Sequence, residues 1–382
     1  MQKLLILALL PALLIWQGLW AAPGGEGARR PGSVRELSIV IGRLPTGPLN
    51  AITDVPGVLV GHRTIIRGDN IRTGVTAVLP HGGNLFHEKV EGAVVVYNGF
   101  GKLAGSTQVN ELGQIETPIL LTNTLSVPKA ADALIAYMLA LPGMEKVASI
   151  NPLVAETNDH YLNDIRSRPV EKEDVAAAIG NARPGPVELG SVGAGTGTRC
   201  FGYKGGIGSS SRVVETGDST YTVGVLVQTN FGGILTVDGV RLGMKENPGS
   251  GAYTAEHGGS CIIVIATDAP LGHRNLRRLA RRSFAGMARV GSDFSNGSGD
   301  YAIAFTTHPD FREIRGEGGT LLKARSPLKN GPASRLFAAC IEATEEAILS
   351  SMVAATTVTG RNGHRVEAID IDKLKAALEG RR

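Results

Sequence analysis

Short runs of strand-forming residues recur along this chain, and several lack the alternation of a half-solvated strand. They fall at 58–60, 75–79, 93–97, 119–122, 223–229 and 262–267, separated by Gly, Asn, Asp and Pro punctuation. A strand with one wet face alternates apolar and polar side chains; a strand covered on both faces is apolar throughout. The run 262–267 (Ile-Ile-Val-Ile-Ala-Thr) is of the second kind. Such strands need a packed layer on each side, and helical segments are available to supply it. One spans 129–141 behind Pro128, and another spans 275–289 with Leu276, Leu279, Ala280 and Met287 on one stripe. A third spans 335–353 after Ser334, an N-cap candidate, and a short one closes the chain at 372–378. The pattern predicts sheets covered by helical layers in one compact α/β domain from residue 36 onward. The 51 glycines and 19 prolines then read as tight turns and close backbone approaches, with no G-X-Y period.

The first 22 residues read as an export signal. Lys3 gives a short positive start, residues 4–16 are almost unbroken apolar sequence, and the small residues Ala21 and Ala22 follow. A periplasmic or secreted location is the expectation, with no membrane attachment once the signal is removed. Residues 23–35, rich in Gly, Arg and Pro, read as a disordered lead-in. After residue 33 no run is long and apolar enough to span a bilayer. A net charge of +4 is too small for a chain-wide nucleic-acid footprint. Arg274, Arg277, Arg278, Arg281 and Arg282 therefore read as a solvated face or a subunit contact of their helix. Cys200, Cys261 and Cys340 could form at most one internal disulfide, and Cys261 reads as a small buried apolar residue.

Familiar catalytic words are missing. Asn296-Gly-Ser-Gly-Asp300 has Asn where a G-x-S-x-G elbow needs Gly, and Gly193-Ala-Gly-Thr-Gly197 misses the dinucleotide spacing. The eight histidines are scattered without metal-ligand spacing, so neither a metal nor a cofactor is expected. What remains is one junction. Residues 248–259 read as a flexible loop ending in Gly-Gly, and Ser260 opens directly onto the apolar strand. A serine hydroxyl is a poor nucleophile without a base. Were the Gly259–Ser260 bond cut, Ser260 would carry an α-amine with a pKa of about 7.7–8.0, suited to that task. On composition alone, Gly-Gly-Ser usually marks just a turn entering a strand.

The words around that junction carry more. Ser260-Cys-Ile-Ile-Val-Ile-Ala-Thr-Asp-Ala-Pro-Leu271, followed by an Arg-rich helix, resembles the start of the β-subunit in the DmpA/BapA family. These are the L-aminopeptidase/D-esterases and β-peptidyl aminopeptidases, self-processing serine hydrolases of the N-terminal-nucleophile type. Similar words lie at Asp54-Val-Pro-Gly-Val-Leu-Val-Gly-His62 and Glu116-Thr-Pro-Ile-Leu-Leu-Thr-Asn-Thr-Leu125. Others are Val154-Ala-Glu-Thr-Asn-Asp-His-Tyr-Leu-Asn-Asp-Ile165, Lys204-Gly-Gly-Ile-Gly-Ser-Ser-Ser-Arg212, Gln228-Thr-Asn-Phe-Gly232 and Asn296-Gly-Ser-Gly-Asp300. A looser match, Val358-Thr-Gly-Arg-Asn-Gly-His364, extends the likeness toward the C-terminus.

The resemblance implies a four-layer α-β-β-α sandwich cut into an α part (36–259) and a β part (260–382). It implies Ser260 as nucleophile freed by autocleavage after Gly259, with Ser298 and Asp300 assisting. Asp300 stands where relatives often carry the longer Glu. Asn230 is implied as the oxyanion donor and Glu156 as the carboxylate that receives the substrate's amine. Asn158 replaces an aromatic of some relatives, with Tyr161 nearby as its substitute in shaping the acyl pocket. The expected substrates are small peptides or aminoacyl amides and esters, and the expected assembly is a homo-oligomer, a tetramer of αβ units. Two other readings stay open: an acyltransferase of the ornithine acetyltransferase type, where Thr normally stands at the scissile position, and an unprocessed peptide-binding scaffold without turnover.

Overall fold

A computed structural model describes residues 30–217, 219–242, 259–316, 319–321 and 325–379. The leader read at 1–22 and residues 243–258 of the loop before Ser260 lie outside them. Thirteen strands build two stacked sheets. They are β1 (Leu59–Arg67), β2 (Ile71–Leu79), β3 (Glu88–Gly99), β4 (Leu103–Ala104), β5 (Gln114–Ile115), β6 (Ile119–Asn123) and β7 (Leu153–Thr157). After them come β8 (Ile207–Thr216), β9 (Ser219–Asn230), β10 (Ser260–Thr267), β11 (Gly299–Thr306), β12 (Arg312–Gly316) and β13 (Gly319–Leu321). The first sheet runs β1-β2-β6-β7-β4; the second runs β8-β9-β10-β11-β3-β12-β13, with β5 beside β3. Each contains one parallel pair, β6 with β7 and β10 with β11, among antiparallel neighbours.

The α-helices are α1 (Ser106–Leu112), α2 (Val127–Leu139), α3 (Lys172–Gly180), α4 (His273–Arg289), α5 (Asn330–Val353) and α6 (Ile371–Glu379), and among the described residues short two-stranded ladders and 3₁₀ turns fill the connections. Three apolar cores separate four layers. α4 and α5 cover the outer face of the eight-stranded sheet, meeting Cys261, Ile263, Ile265, Ala302 and Ala304. α2 and α3 cover the outer face of the five-stranded sheet, meeting Val75, Ala77, Leu120 and Val154. Between the sheets lie Ile262, Val264, Ile303 and Phe305 from one and Val78, Ile119, Leu121 and Leu153 from the other. Every residue of β10 and of β11 is buried, as expected of strands that are apolar on both faces.

The Arg-rich helix behaves as its stripe predicts. Leu276, Leu279, Ala280 and Met287 are buried, Arg274, Arg277 and Arg281 are exposed, and Arg278 and Arg282 lie over the Phe337 ring of α5. Two expectations need correction. α5 begins at Asn330 after Lys329, so Ser334 is not its N-cap; it lies inside the helix, its hydroxyl directed at the Asn330 carbonyl. Pro332 explains the earlier start, because its missing N–H costs nothing in a first turn. The disordered lead-in extends in the sequence reading to residue 35, yet residues 30–35 are fastened down. Val34 is buried, Arg30 donates to the carbonyls of Val353 and Ile369, and Arg35 pairs with Glu346. Glu346 in turn meets the fully buried Arg212 of β8 at 2.6 Å.

Candidate active site

The starts of β10 and β11 and the end of β9 meet at one edge of the eight-stranded sheet. Ser260, first in β10, is opposite Gly299, first in β11, and opposite Asn230, last in β9. Residues directly opposite in an antiparallel pair project to the same face, so Asn230 and Ser260 share one side. Ser260 is buried, and its hydroxyl donates to the Gly259 carbonyl oxygen at 2.6 Å. The same oxygen accepts the Gly299 N–H at 3.0 Å, and that N–H lies 3.4 Å from Ser260 Oγ. The carbonyl before the nucleophile is thus already polarised by two donors.

Ser298 and Asp300 bracket Gly299. Ser298 Oγ donates to Asp300 Oδ1 at 2.8 Å, so the shorter acid spans the gap to its serine. Strand alternation places Asp300 on the Cys261 side and Ser260 on the Ile262 side. The pair therefore approaches β10 from behind the Ser260 hydroxyl, at the backbone between residues 260 and 261. Burial pushes the Asp300 carboxyl up to about 6, while the Ser298 hydroxyl and the Cys261 N–H pull against it. Asp300 Oδ2 is buried and has no hydrogen-bond partner among the described residues. An ammonium at the head of β10 would give it one.

The Asn230 amide is held from both ends. Its Oδ1 accepts the Arg199 N–H at 3.0 Å, and its Nδ2 donates to the Asn158 carbonyl at 3.0 Å. One Nδ2 hydrogen is left for another acceptor. Glu156, in β7 of the other sheet, is 1% exposed. It accepts the Lys102 N–H at 3.0 Å and the Thr124 hydroxyl. Burial raises its pKa, and those two donors oppose the shift. Gln228, two residues before Asn230, ties the sheets together by donating to Thr122 O, Thr157 Oγ1 and Ala194 O.

Asn158 is exposed; its Oδ1 accepts the His160 N–H, and its carbonyl orients Asn230. The Tyr161 ring stacks on His364 at 4.4 Å and lies under the Arg199 guanidinium at 4.0 Å. Cys261 is fully buried, and burial raises its thiol pKa well above the usual value. Sequence reasoning did not find the Gly299, Arg199 and Lys102 N–H groups or the Thr124 hydroxyl. Three of these are backbone donors, which leave no signature in residue type. Among the described residues, no group of His, Cys, Asp or Glu side chains is arranged to hold a metal ion.

This arrangement sets a serine at a strand head beside polarising donors and a buried carboxylate. Peptidase family S58 matches residues 50–366. The chain belongs to that family. β-Peptidyl aminopeptidase BapA of Sphingosinicella microcystinivorans is 39% identical to it, over 97% of this chain and 96% of that one. The solved β-aminopeptidase of a Burkholderia species superposes with a TM-score of 0.84 at 39% identity, covering 91% of this chain and 98% of the other. The L-aminopeptidase D-Ala-esterase/amidase of Ochrobactrum anthropi, a prototype serine aminopeptidase with a variant Ntn hydrolase fold, superposes with a TM-score of 0.84. It is 35% identical, with 92% of this chain and 99% of the other covered. This S58 chain is accordingly a serine aminopeptidase with N-terminal-nucleophile layering.

Proposed function

We propose that this protein is exported, cuts itself between Gly259 and Ser260, and then releases N-terminal residues from small peptides, amides or esters. The observation that carries the reading is the Ser260 hydroxyl lying 2.6 Å from the Gly259 oxygen, which the Gly299 N–H also holds. In the first step Ser260 Oγ attacks the Gly259 carbonyl carbon, and charge gathers on an oxygen with a donor in place. The peptide becomes an ester as the Ser260 nitrogen leaves with a proton. Water hydrolyses the ester, giving a Gly259 carboxylate and a Ser260 with both hydroxyl and α-amine free. Asp300 and Ser298, behind that nitrogen, receive the new amine.

In turnover the α-amine takes the hydroxyl proton as Oγ attacks the substrate carbonyl. The spare Asn230 N–H stabilises the oxyanion, the leaving amine takes the proton, and water then releases the acyl group from Ser260. Glu156 holds the substrate's own ammonium. Relatives named β-peptidyl aminopeptidases stand at 39% and 37% identity, which makes short amides with an N-terminal β-residue the first substrates to test against their α-residue counterparts. Residues 1–22 would direct the chain to the periplasm or medium, and processed αβ units would assemble into a homo-oligomer. The mass of the purified protein tests the central step. Two fragments meeting at Gly259/Ser260, with hydrolysis of aminoacyl amides, support it; one intact chain that hydrolyses them refutes it.

A further inference from the structure

Tyr301 follows Asp300 in β11 and is 3% exposed. Its hydroxyl makes no hydrogen bond with any described residue. The oxygen is not sealed in the interior; it reaches the open space of the site and is free to meet a ligand. Its surroundings give the hydroxyl a use. A Cβ placed on Gly101 would come within 2.7 Å of the Tyr301 hydroxyl and 3.0 Å of Glu156 Oε1. The two oxygens therefore lie no more than about 5.7 Å apart, a separation that one ammonium can bridge, beside a residue with no side chain to crowd them.

Glu156 alone leaves an incoming ammonium short of acceptors. Its carboxylate has about four acceptor sites, and an ammonium brings three N–H donors. The Lys102 N–H and the Thr124 hydroxyl already occupy one site on each oxygen. Burial, together with the nearby Glu156 and Asp300 charges, pushes the Tyr301 phenol up to about 12, so it stays neutral and its oxygen can accept.

We propose that Tyr301 is a substrate-binding residue whose hydroxyl oxygen accepts one N–H of the substrate's ammonium while Glu156 takes the others. This rests on the aminopeptidase reading of Glu156. It gives the site a ruler. The amine is bound beside residue 301, and the nucleophile stands at the head of the adjacent parallel strand.

The test compares an aminoacyl anilide with the desamino acyl anilide of the same skeleton, on processed wild type, Tyr301→Phe and Gly101→Ala. For Tyr301→Phe, KM for the amine-bearing substrate should rise about tenfold or more with kcat nearly unchanged, as expected for loss of a hydrogen bond to a charged group. Its kcat/KM for the desamino substrate should not move, and its thermal midpoint should change little. Gly101→Ala, which presses a methyl group against both oxygens, should show the same selective loss. Equal losses on both substrates, or no loss on either, would overturn the role of Tyr301. Equal hydrolysis of the two substrates by wild type would instead overturn the amine anchor itself, and that is read without any variant.

Discussion

Each sheet contains a single parallel strand pair, and the candidate site uses the two pairs at opposite ends. In the five-stranded sheet it draws on the carboxyl ends of β6 and β7, where Thr124 and Glu156 stand. In the eight-stranded sheet it draws on the amino ends of β10 and β11, with Ser260 and the Ser298–Asp300 pair. The difference follows from backbone polarity. A carboxyl-terminal strand end opens onto a loop, and here Lys102 N–H and Thr124 arrive to hold a buried carboxylate. Only an amino-terminal strand end can present an α-amine, and only after the chain ahead of it is cut. On the proposed mechanism, one end would grip a substrate and the other would attack it.

That division can be broken by substitution. The largest effect belongs to Ser260→Ala, which should abolish both processing and aminoacyl amide hydrolysis while circular dichroism shows an unchanged fold. If this variant still splits at residue 259, the attacking end is misassigned. Asn230→Ala should lower kcat by about 10²–10³-fold, the usual cost of one oxyanion donor, with KM little changed. Glu156→Gln works at the gripping end. It should cost about 10–100-fold in kcat/KM through KM, on substrates with a free amine only. A fall in kcat with KM constant would erase the contrast between the two ends.

The smallest effect sharpens the comparison through pH. In the uncut chain burial raises the Asp300 carboxyl to about 6. After the cut the Ser260 ammonium beside it favours the ionised carboxylate, and the amine should titrate at about 7.7–8.0 or somewhat above. In the processed enzyme log kcat/KM should therefore rise with unit slope up to the amine's pKa and level off beyond it. Asp300→Asn should move that limb to lower pH and lower the plateau. In the uncut Ser260→Ala chain no ammonium is present, and the stability sign is opposite to that of a salt-bridged acid. A carboxyl raised above its unfolded value makes the native state bind protons more tightly between pH 4 and 6, so stability falls as pH rises through that window. In that uncut background Asp300→Asn should therefore raise the thermal midpoint at pH 7.5, measured by calorimetry.

Layering was legible because β10 and its neighbours carry the two-face signature in their own residues. The run 262–267 reports its burial directly, and α4 reports its exposed face through its arginines. α3 escaped notice because it is nine residues long and starts behind Glu171, without a Ser, Thr, Asp or Asn to mark it. At the candidate site, the residues that the sequence singled out were those with chemistry in their side chains: Ser260, Ser298, Asp300, Asn230 and Glu156. Their setting was not legible. The donors on Gly259 O, Asn230 Oδ1 and Glu156 are mostly peptide groups brought in by long-range register. Tyr301 reads as one more apolar strand residue until Gly101, 200 positions upstream, is seen beside it.

The place of β10 between β9 and β11 also sets the order of events in the life of the chain. A cut before Ser260 leaves the new terminus clamped by a strand on either side, so the two fragments would stay interlocked without a covalent link. Before the cut, folding is a unimolecular search with the chain's own length as tether. Afterwards, the same sheet could re-form only by collision of two separate polypeptides, each exposing a bare strand edge that invites aggregation. Maturation would then act as a ratchet. The protein would fold once as a single chain, and its persistence thereafter would depend on how rarely the interlocked sheet opens rather than on how readily it can be rebuilt.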